Sequence, residues 1–188
     1  MKKTLLIIAC GCLTSLYAQS NLIYQSSQPG KFTVVSGDET ESEINFTIGD
    51  VTQKLVTTPN GTQVTVSTID GTPILQAGFP DLPKMTSSVI VPDDQNMQVE
   101  VIYSEYVDYA NVEVAPSKGT QVRTVDPSMV PFTYGDIYNQ DVFYPSNLAQ
   151  MGNPFIFRDY RAQTITVNPV QYNAVTKTLR VYTSIKLR

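Results

Sequence analysis

The sequence contains no histidine, and its two cysteines, Cys10 and Cys12, both lie within the first twenty residues. If those residues are removed as a secretory signal, the rest of the chain has neither a thiol nor an imidazole. It then has no cysteine nucleophile, no histidine base, no soft metal ligand and no disulfide. These absences exclude most hydrolytic and metal-dependent chemistry. We therefore expect a protein that binds or shields another molecule, not an enzyme.

The first eighteen residues have the features of a signal peptide. Lys2 and Lys3 are followed by an apolar run over 4–16, and Ala18 suits cleavage before Gln19. The run is too short for a transmembrane helix, which needs about 20 apolar residues. Lipoprotein processing at Cys10 and a buried N-terminal strand or helix are the alternatives. With either form of processing, we expect export to the periplasm, the cell surface or the medium, and no transmembrane segment.

The charge of the remaining 170 residues is acidic. They carry 17 acidic and 11 basic side chains, a net charge of −6, and the basic residues form no patch along the sequence. Nucleic acid is therefore not an expected partner. The length suffices for one domain with a substantial core or for two small ones, and we treat 19–188 as one domain.

Apolar and polar residues alternate in short runs, which is typical of half-buried strands. Such runs lie at 31–35, 43–48 and 62–67. Asn60-Gly61 predicts a hairpin of strands 51–58 and 62–68, because both residues accept positive φ. Two more strand pairs are predicted, one from 87–91 and 97–103 and one from 163–167 and 178–187. No window of a dozen residues has an apolar stripe at helical spacing.

This pattern predicts an all-β fold, an antiparallel β-sandwich of jelly-roll-like type. The stretch 116–160 differs from the rest, because five prolines and many aromatic residues interrupt the alternation. Its aromatic content argues against disorder. We therefore expect a long irregular loop region that is ordered and packed against the sandwich.

Several acidic and aromatic groups are weaker candidates for a site. The pairs Asp38-Glu39 and Asp93-Asp94 could serve a carboxylate-based hydrolase, but both lie in predicted turns, where acidic residues are common. Four acids near the first turn could hold calcium, although a plain acidic turn is favoured and no cofactor is expected. These four are Asp38, Glu39, Glu41 and Glu43. An aromatic platform of Tyr103, Tyr106 and Tyr109 could stack on sugars, so a cell-surface adhesion or carbohydrate-binding module is the alternative function.

Seven segments, in order, resemble the N-terminal propeptide of gingipain-type cysteine peptidases of Bacteroidetes. They span most of residues 70–188 and are Gly78-Phe79-Pro80-Asp81-Leu82-Pro83, Val114-Ala115-Pro116-Ser117-Lys118-Gly119, Pro131-Phe132-Thr133-Tyr134-Gly135, Phe143-Tyr144-Pro145, Pro154-Phe155-Ile156-Phe157-Arg158-Asp159-Tyr160-Arg161, Pro169-Val170-Gln171-Tyr172-Asn173 and Thr176-Lys177-Thr178-Leu179-Arg180-Val181-Tyr182. The resemblance implies a secreted β-sandwich prodomain that assists folding of a cysteine peptidase and keeps it latent. The partner would be that peptidase domain. Because the sequence ends within an alternating run, we expect either part of a longer precursor, with the peptidase in the same chain, or a free-standing propeptide-like protein with a separate peptidase.

A prodomain of this kind blocks a cleft with an extended segment, and a side chain fills the specificity pocket. For a peptidase that cleaves after basic residues, the candidates in or next to 116–160 are Arg123, Arg158 and Arg161. No other basic residue lies between Arg123 and Arg158. The alternative for each is a surface or ion-paired arginine. Ala18 and Arg188 are candidate processing sites.

Overall fold

A computed structural model describes residues 21–38, 40–93 and 97–188, and nearly all regular structure in them is β. The strands are β1 (Asn21–Tyr24), β2 (Lys31–Gly37), β3 (Ser42–Thr47), β4 (Val51–Thr58), β5 (Gly61–Thr68), β6 (Thr72–Pro73), β7 (Pro83–Ile90), β8 (Val101–Tyr109), β9 (Ala149–Met151), β10 (Phe155–Phe157), β11 (Tyr160–Val167), β12 (Val170–Asn173) and β13 (Thr178–Leu187). Two short 3-10 helices, Pro127–Met129 and Asp136–Asn139, complete the described elements. Neither helix has the length to cross a membrane. The predicted all-β fold class is confirmed.

The strands form three antiparallel sheets. The first has the order β1-β4-β5, the second β10-β11-β7-β6 and the third β12-β13-β3-β2. Strand β9 also pairs with β11, and β8 also pairs with β13. Strands β11 and β13 therefore make the long-range pairings, because each lies beside strands from distant parts of the chain.

One hydrophobic core is shared by the three sheets. Strand β13 shows why its sequence suits a place beside that core. Leu179, Val181, Ile185 and Leu187 are almost completely buried, whereas residues at alternate positions, such as Lys186, remain partly exposed. Phe46 of β3 packs into the same core with no exposed surface. Burial of these apolar faces is the main favourable contribution to folding.

The predicted hairpin of 51–58 and 62–68 is confirmed as β4 and β5, with Thr58 opposite Gly61. Its turn differs from the prediction, because Pro59 and Asn60 are the two central residues. Gly61 has a φ of +107°, but Asn60 does not have positive φ. The pyrrolidine ring of Pro59 holds its own φ near −65°, so this turn needs positive φ only at the glycine that follows it.

The predicted pairing of 87–91 with 97–103 is wrong. Strand β7 lies antiparallel to β11, with Ile90 opposite Ala162, and the Val91 N–H donates to the Arg161 carbonyl at 3.0 Å. The later run is shifted to β8 and pairs with β13. Alternation identifies which residues share a face of a strand, but it does not identify the neighbouring strand.

The predicted pairing of 163–167 with 178–187 is also wrong. Residues 163–167 belong to β11, whereas the hairpin partner of β13 is β12. Asn168 and Pro169 separate β11 from β12, and proline has no N–H with which to continue a ladder. The chain passes from the second sheet to the third at this point.

The stretch 116–160 is mostly irregular, as predicted, but it also contains both 3-10 helices and the three-residue strands β9 and β10. It is packed against the sheets. Tyr138, Tyr144 and Leu148 contact the core, and backbone bonds of 2.8 and 2.9 Å join Tyr144 to Tyr172. Strands of three residues are too short for alternation to be recognised in the sequence.

Core packing on β13 gives a direct test of this architecture. We expect Leu179→Ala to lower the free energy of unfolding by about 2–5 kcal/mol, because a fully buried side chain leaves a cavity. Leu55→Ala is the matched control, since that side chain is 55% exposed, and we expect it to cost at most about 0.5 kcal/mol. Urea unfolding of both variants checks the difference. Equal losses would contradict the placement of β13.

Candidate functional site

The segment 113–117, in which residues 114–117 are buried, lies between two other parts of the chain. On one side, the Val64 N–H donates to the Glu113 carbonyl and the Ala115 N–H donates to the Val64 carbonyl, both at 2.8 Å. On the other side, the Asp81 N–H donates to the Ala115 carbonyl at 2.9 Å and the Ser117 N–H to the Phe79 carbonyl at 2.7 Å. Backbone hydrogen bonds on both sides therefore hold this segment in place, and we call it the base of the residues that follow it.

Residues 118–127 leave this base as an exposed loop, which we call the Arg123 loop. Its ends are joined, because the Lys118 ammonium donates to the Pro127 carbonyl at 2.8 Å. Arg123 lies at the far end, in a turn closed by a 3.0 Å hydrogen bond from the Val125 N–H to the Val122 carbonyl. Val122, Arg123 and Val125 are all exposed. The structure thus presents the Arg123 side chain on a closed loop.

The second end of the loop is held by a helix cap. The Asp126 carboxylate accepts a 2.8 Å hydrogen bond from the Ser128 N–H, at the start of the first 3-10 helix. This bond lowers the pKa of the Asp126 carboxyl, since it stabilises the ionised form. Further along, the Gly135 N–H donates to the Gly78 carbonyl at 2.8 Å. The chain therefore returns to the same 78–81 segment that holds Ser117.

Two tyrosines anchor the return of the chain to the sheets. The Tyr134 hydroxyl donates to Gln63 Oε1 at 2.5 Å and lies 2.9 Å from Thr58 Oγ1. The Tyr138 hydroxyl donates to the Val114 carbonyl at 3.0 Å, and burial raises the pKa of that phenol. Burial likewise raises the pKa of the Asp81 carboxyl nearby. These contacts tie both ends of the Arg123 loop to the first sheet and its attached segments.

The structure places Arg158 and Arg161 on a different element from Arg123. Arg158 lies in the exposed two-residue turn between β10 and β11 and has a φ of +56°. Its guanidinium is 5.9 Å from the Phe157 ring centroid. Arg161 lies within β11, is only partly exposed and donates to the Pro92 carbonyl at 2.7 Å. The three predicted candidates are therefore not gathered into one cluster.

The candidate processing site Arg188 directly follows β13 and is paired with Glu100, the residue before β8. Its backbone exchanges two 2.9 Å hydrogen bonds with Glu100, and its guanidinium is 2.6 Å from the Glu100 carboxylate. A second carboxylate, that of Glu41, lies 3.8 Å away. The other processing candidate, Ala18, lies outside the described residues.

The acidic turn is used for local bonding. The Asp38 carboxylate accepts hydrogen bonds from the N–H groups of Thr40 and Glu41, and this lowers its pKa. Glu43 pairs with Lys186 at 2.7 Å. Glu39 and Asp94 lie outside the described residues. The expectation that this turn holds no cofactor, with calcium as the weaker alternative, remains untested.

The three tyrosines of the predicted platform have separate roles. Tyr103 donates to the Glu105 carboxylate at 2.7 Å, and Tyr109 packs against the core. Tyr106 lies under the Arg180 guanidinium, 3.9 Å from its ring centroid, and edge-on to Tyr182. All three side chains make intramolecular contacts, although Tyr103 and Tyr106 stay 55% and 49% exposed. These contacts lend no support to the carbohydrate-binding alternative.

Sequence reasoning missed the role of Lys118. The residue stands in one of the seven family-like segments, but its contact with Pro127 depends on how the loop closes. Its ammonium also lies 4.3 Å from the centroid of the Phe132 ring. Nothing in the spacing of these three residues in the sequence signals that one cation joins them.

The fold and the loop together define a β-domain that presents a basic side chain on an exposed loop. Residues 23–188 match the Propeptide_C25 family model, and the chain belongs to that family. Membership of a propeptide family confirms both the resemblance and the expectation that this chain is not itself an enzyme.

The curated relatives are much longer than this chain. Gingipain R1 of Porphyromonas gingivalis is 35% identical over 185 residues, which are 98% of this chain and 11% of that protein. Lys-gingipain of the same organism is 29% identical over 194 residues, covering 100% of this chain and 11% of that protein. The chain therefore corresponds to a small part of each relative.

Two solved structures share the fold. A complex of the RgpB pro- and mature domains of Porphyromonas gingivalis matches with a TM-score of 0.79 and 36% identity, over 83% of this chain and 82% of that chain. A structure concerned with zymogenic latency of gingipain K from Porphyromonas gingivalis matches with a TM-score of 0.73 and 25% identity, over 90% of this chain and 97% of that chain.

The Tyr134 contact can be tested alone. We expect Tyr134→Phe to lower the free energy of unfolding by about 0.5–1.5 kcal/mol, because it removes one of the two hydroxyl groups that donate to the buried Gln63 amide oxygen and leaves that of Thr58. Tyr160→Phe is the matched control, since Tyr160 is 59% exposed. Urea unfolding and limited proteolysis of 118–140 provide the measurement. A stability equal to that of the control would contradict the anchoring role.

The Asp126 cap predicts a pH dependence. A carboxyl whose pKa is lowered by folding contributes stability above its unfolded pKa, about 3.9, and loses it as the pH falls through the lowered value. We therefore expect the Ser128 amide NMR shift to stay constant from neutral pH down to about pH 4 and to change below it. In Asp126→Asn the amide oxygen still accepts the bond, so this titration should disappear. A midpoint above the ordinary carboxyl pKa would contradict the cap.

Proposed function

We propose that this chain is the prodomain of a gingipain-like cysteine peptidase, which it helps to fold and then keeps latent until it is removed. The family membership and the two prodomain-like structures support this function. When the prodomain is part of the same precursor, covalent attachment gives it a high effective concentration at the cleft, so a modest intrinsic affinity suffices.

The observation that carries the proposal is the exposed position of Arg123 on a closed loop. A peptidase cleft takes one side chain of a bound segment into its specificity pocket. At Arg123 that segment is a turn, not the extended segment expected from the sequence. The turn at Arg123 offers such a side chain, flanked by the exposed apolar residues Val122 and Val125. A loop already closed in the free protein loses less conformational entropy on binding than a flexible one. Arg123 is thus our assignment for the pocket.

Arg158 and Arg161 are less suited to that role. Arg158 is exposed, but the residues on both sides of its two-residue turn are paired in the β10–β11 ladder, whereas the turn at Arg123 is closed by a single backbone hydrogen bond. Arg161 is partly buried and donates to the Pro92 carbonyl, so entering a pocket would cost it this bond. Arg158 therefore remains the second candidate, and Arg161 is ranked third.

Export and processing form part of the same proposal. A signal peptide over 1–18, cleaved after Ala18, would deliver the protein to the periplasm, the cell surface or the medium. Arg188 is the proposed site of separation from the peptidase. Because both backbone groups of Arg188 are bonded to Glu100, cleavage there requires the end of β13 to open first.

Inhibition of a related peptidase tests the function. We expect the purified protein to inhibit the mature domain of RgpB, and Arg123→Ala to raise the inhibition constant about 30-fold or more, as truncation of a central anchor does. Hydrolysis of a small chromogenic substrate is the measurement. Arg158→Ala is the matched control and should change the constant by less than about threefold.

The possible outcomes test the latency function and the assignment of Arg123 separately. No inhibition by the unmodified protein would contradict the latency function. Inhibition that is unchanged in Arg123→Ala but lost in Arg158→Ala would contradict the assignment of Arg123 and transfer the role to the hairpin.

A further inference from the structure

We infer that Lys118 is a positioning residue that holds the Arg123 loop closed and thereby sets how tightly Arg123 engages the peptidase and how slowly the loop is cut. The part of this inference that concerns the peptidase rests on the function proposed above. The part that concerns loop closure rests on this chain alone.

The Lys118 ammonium joins three parts of the polypeptide. Its own backbone begins the loop, its Nζ donates to the Pro127 carbonyl at 2.8 Å, and it lies 4.3 Å from the centroid of the Phe132 ring. Its charge also contributes to the lowered pKa of the Asp126 carboxyl. A hydrogen bond from a charged donor and a cation–π contact are each stronger than their neutral counterparts. Lys118 is therefore the link between the two ends of the loop.

The other contacts of the loop are local. Gln121 Nε2 donates to the Lys118 carbonyl at 2.6 Å, and the Val125 N–H bonds within the apical turn. Within the described part of the chain, residues 120–125 form no hydrogen bond to any of the three sheets. These local bonds therefore do not fix the orientation of the turn relative to the sheets. The contact between Lys118 and Pro127 fixes that orientation.

The base of the loop leaves little room for an alternative path. Gly119 has a φ of +76°, and a Cβ atom placed on it would lie 3.0 Å from the Ala77 Cβ atom. The Gly119 N–H also donates to the Ser117 hydroxyl at 3.2 Å. The chain therefore leaves the buried segment in one direction, and Lys118 is held where its side chain can reach Pro127.

A closed loop inhibits better than an open one for a physical reason. Joining the ends of a flexible loop costs entropy, and if this cost is met in the free protein it does not weaken binding. An open loop would also let the peptide bond after Arg123 relax into the extended geometry that proteases cleave. Loss of the Lys118 contact should therefore convert the loop from an inhibitor toward a substrate.

Limited proteolysis by trypsin tests closure without the cognate peptidase. Lys118→Met keeps the length and apolar contacts of the side chain but removes its charge and its donors. We expect cleavage after Arg123 to become about tenfold faster in this variant, while cleavage after Arg158 stays the same. Lys118→Arg restores a cationic donor and should bring the rate back to within about threefold of the unmodified protein. Mass spectrometry of the fragments assigns each cut.

Lys54→Met is the matched control for removal of an exposed lysine charge. Lys54 lies on β4 and is exposed, so its loss should leave both cleavage rates unchanged. Urea midpoints that stay close to that of the unmodified protein show that Lys118→Met acts on the loop and not on the global fold. If Lys118→Met is globally destabilised, the rates of cleavage after Arg123 in Lys118→Arg and Lys118→Gln are compared instead. Faster cleavage in Lys118→Gln supports loop closure by the charge, and equal rates contradict it.

Inhibition of the mature RgpB domain provides the second readout. We expect Lys118→Met to raise the inhibition constant about tenfold, with most of the change in the dissociation rate, and Lys118→Arg to restore it. Failure of the unmodified protein to inhibit would overturn the proposed function while the trypsin result still tests closure. Cleavage after Arg123 at the same rate in Lys118→Met and the unmodified protein would overturn the inference.

Discussion

The two-sided hydrogen bonding of the buried segment 113–117 is the constraint on which the rest of the structure depends. Buried backbone N–H and C=O groups must be paired, and this segment meets that requirement with Val64 on one side and with Phe79 and Asp81 on the other. It thereby ties the first sheet to the 78–81 segment. The exposed loop begins directly where this pairing ends, so the core of the domain determines where the loop emerges.

A domain that is not itself an enzyme can still control one if it presents one side chain in a defined place. The base of the Arg123 loop is held by backbone bonds and by Lys118, and its return is held by the Tyr134 and Tyr138 hydroxyls. The hydrogen bonds to the rest of the domain are therefore concentrated at the base of the loop, while its apex is exposed. This division suits a segment that must enter the cleft of another protein without losing much entropy.

Local patterns predicted much of the fold but not its pairing. Alternation located most of the strands, and Pro59-Asn60-Gly61 correctly marked the β4–β5 hairpin. The partners of β7 and β8 were missed, because β11 and β13 lie about seventy or more residues further along the chain. For the site, the sequence reduced the candidates to three arginines. It could not rank them, since the contacts that differ, those of Lys118 with Pro127 and of Arg161 with Pro92, form only after folding.

The sequence by itself determined which side chains the protein has for chemistry and where most of its strands lie. The absence of histidine, the confinement of cysteine to Cys10 and Cys12, and the period-two alternation are all properties of composition or of neighbouring residues. Only the tertiary structure decided which strands pair and where in the fold each of the three arginines lies. Both depend on contacts between residues far apart in the chain, where burial and hydrogen-bond geometry, not local preference, select the partner.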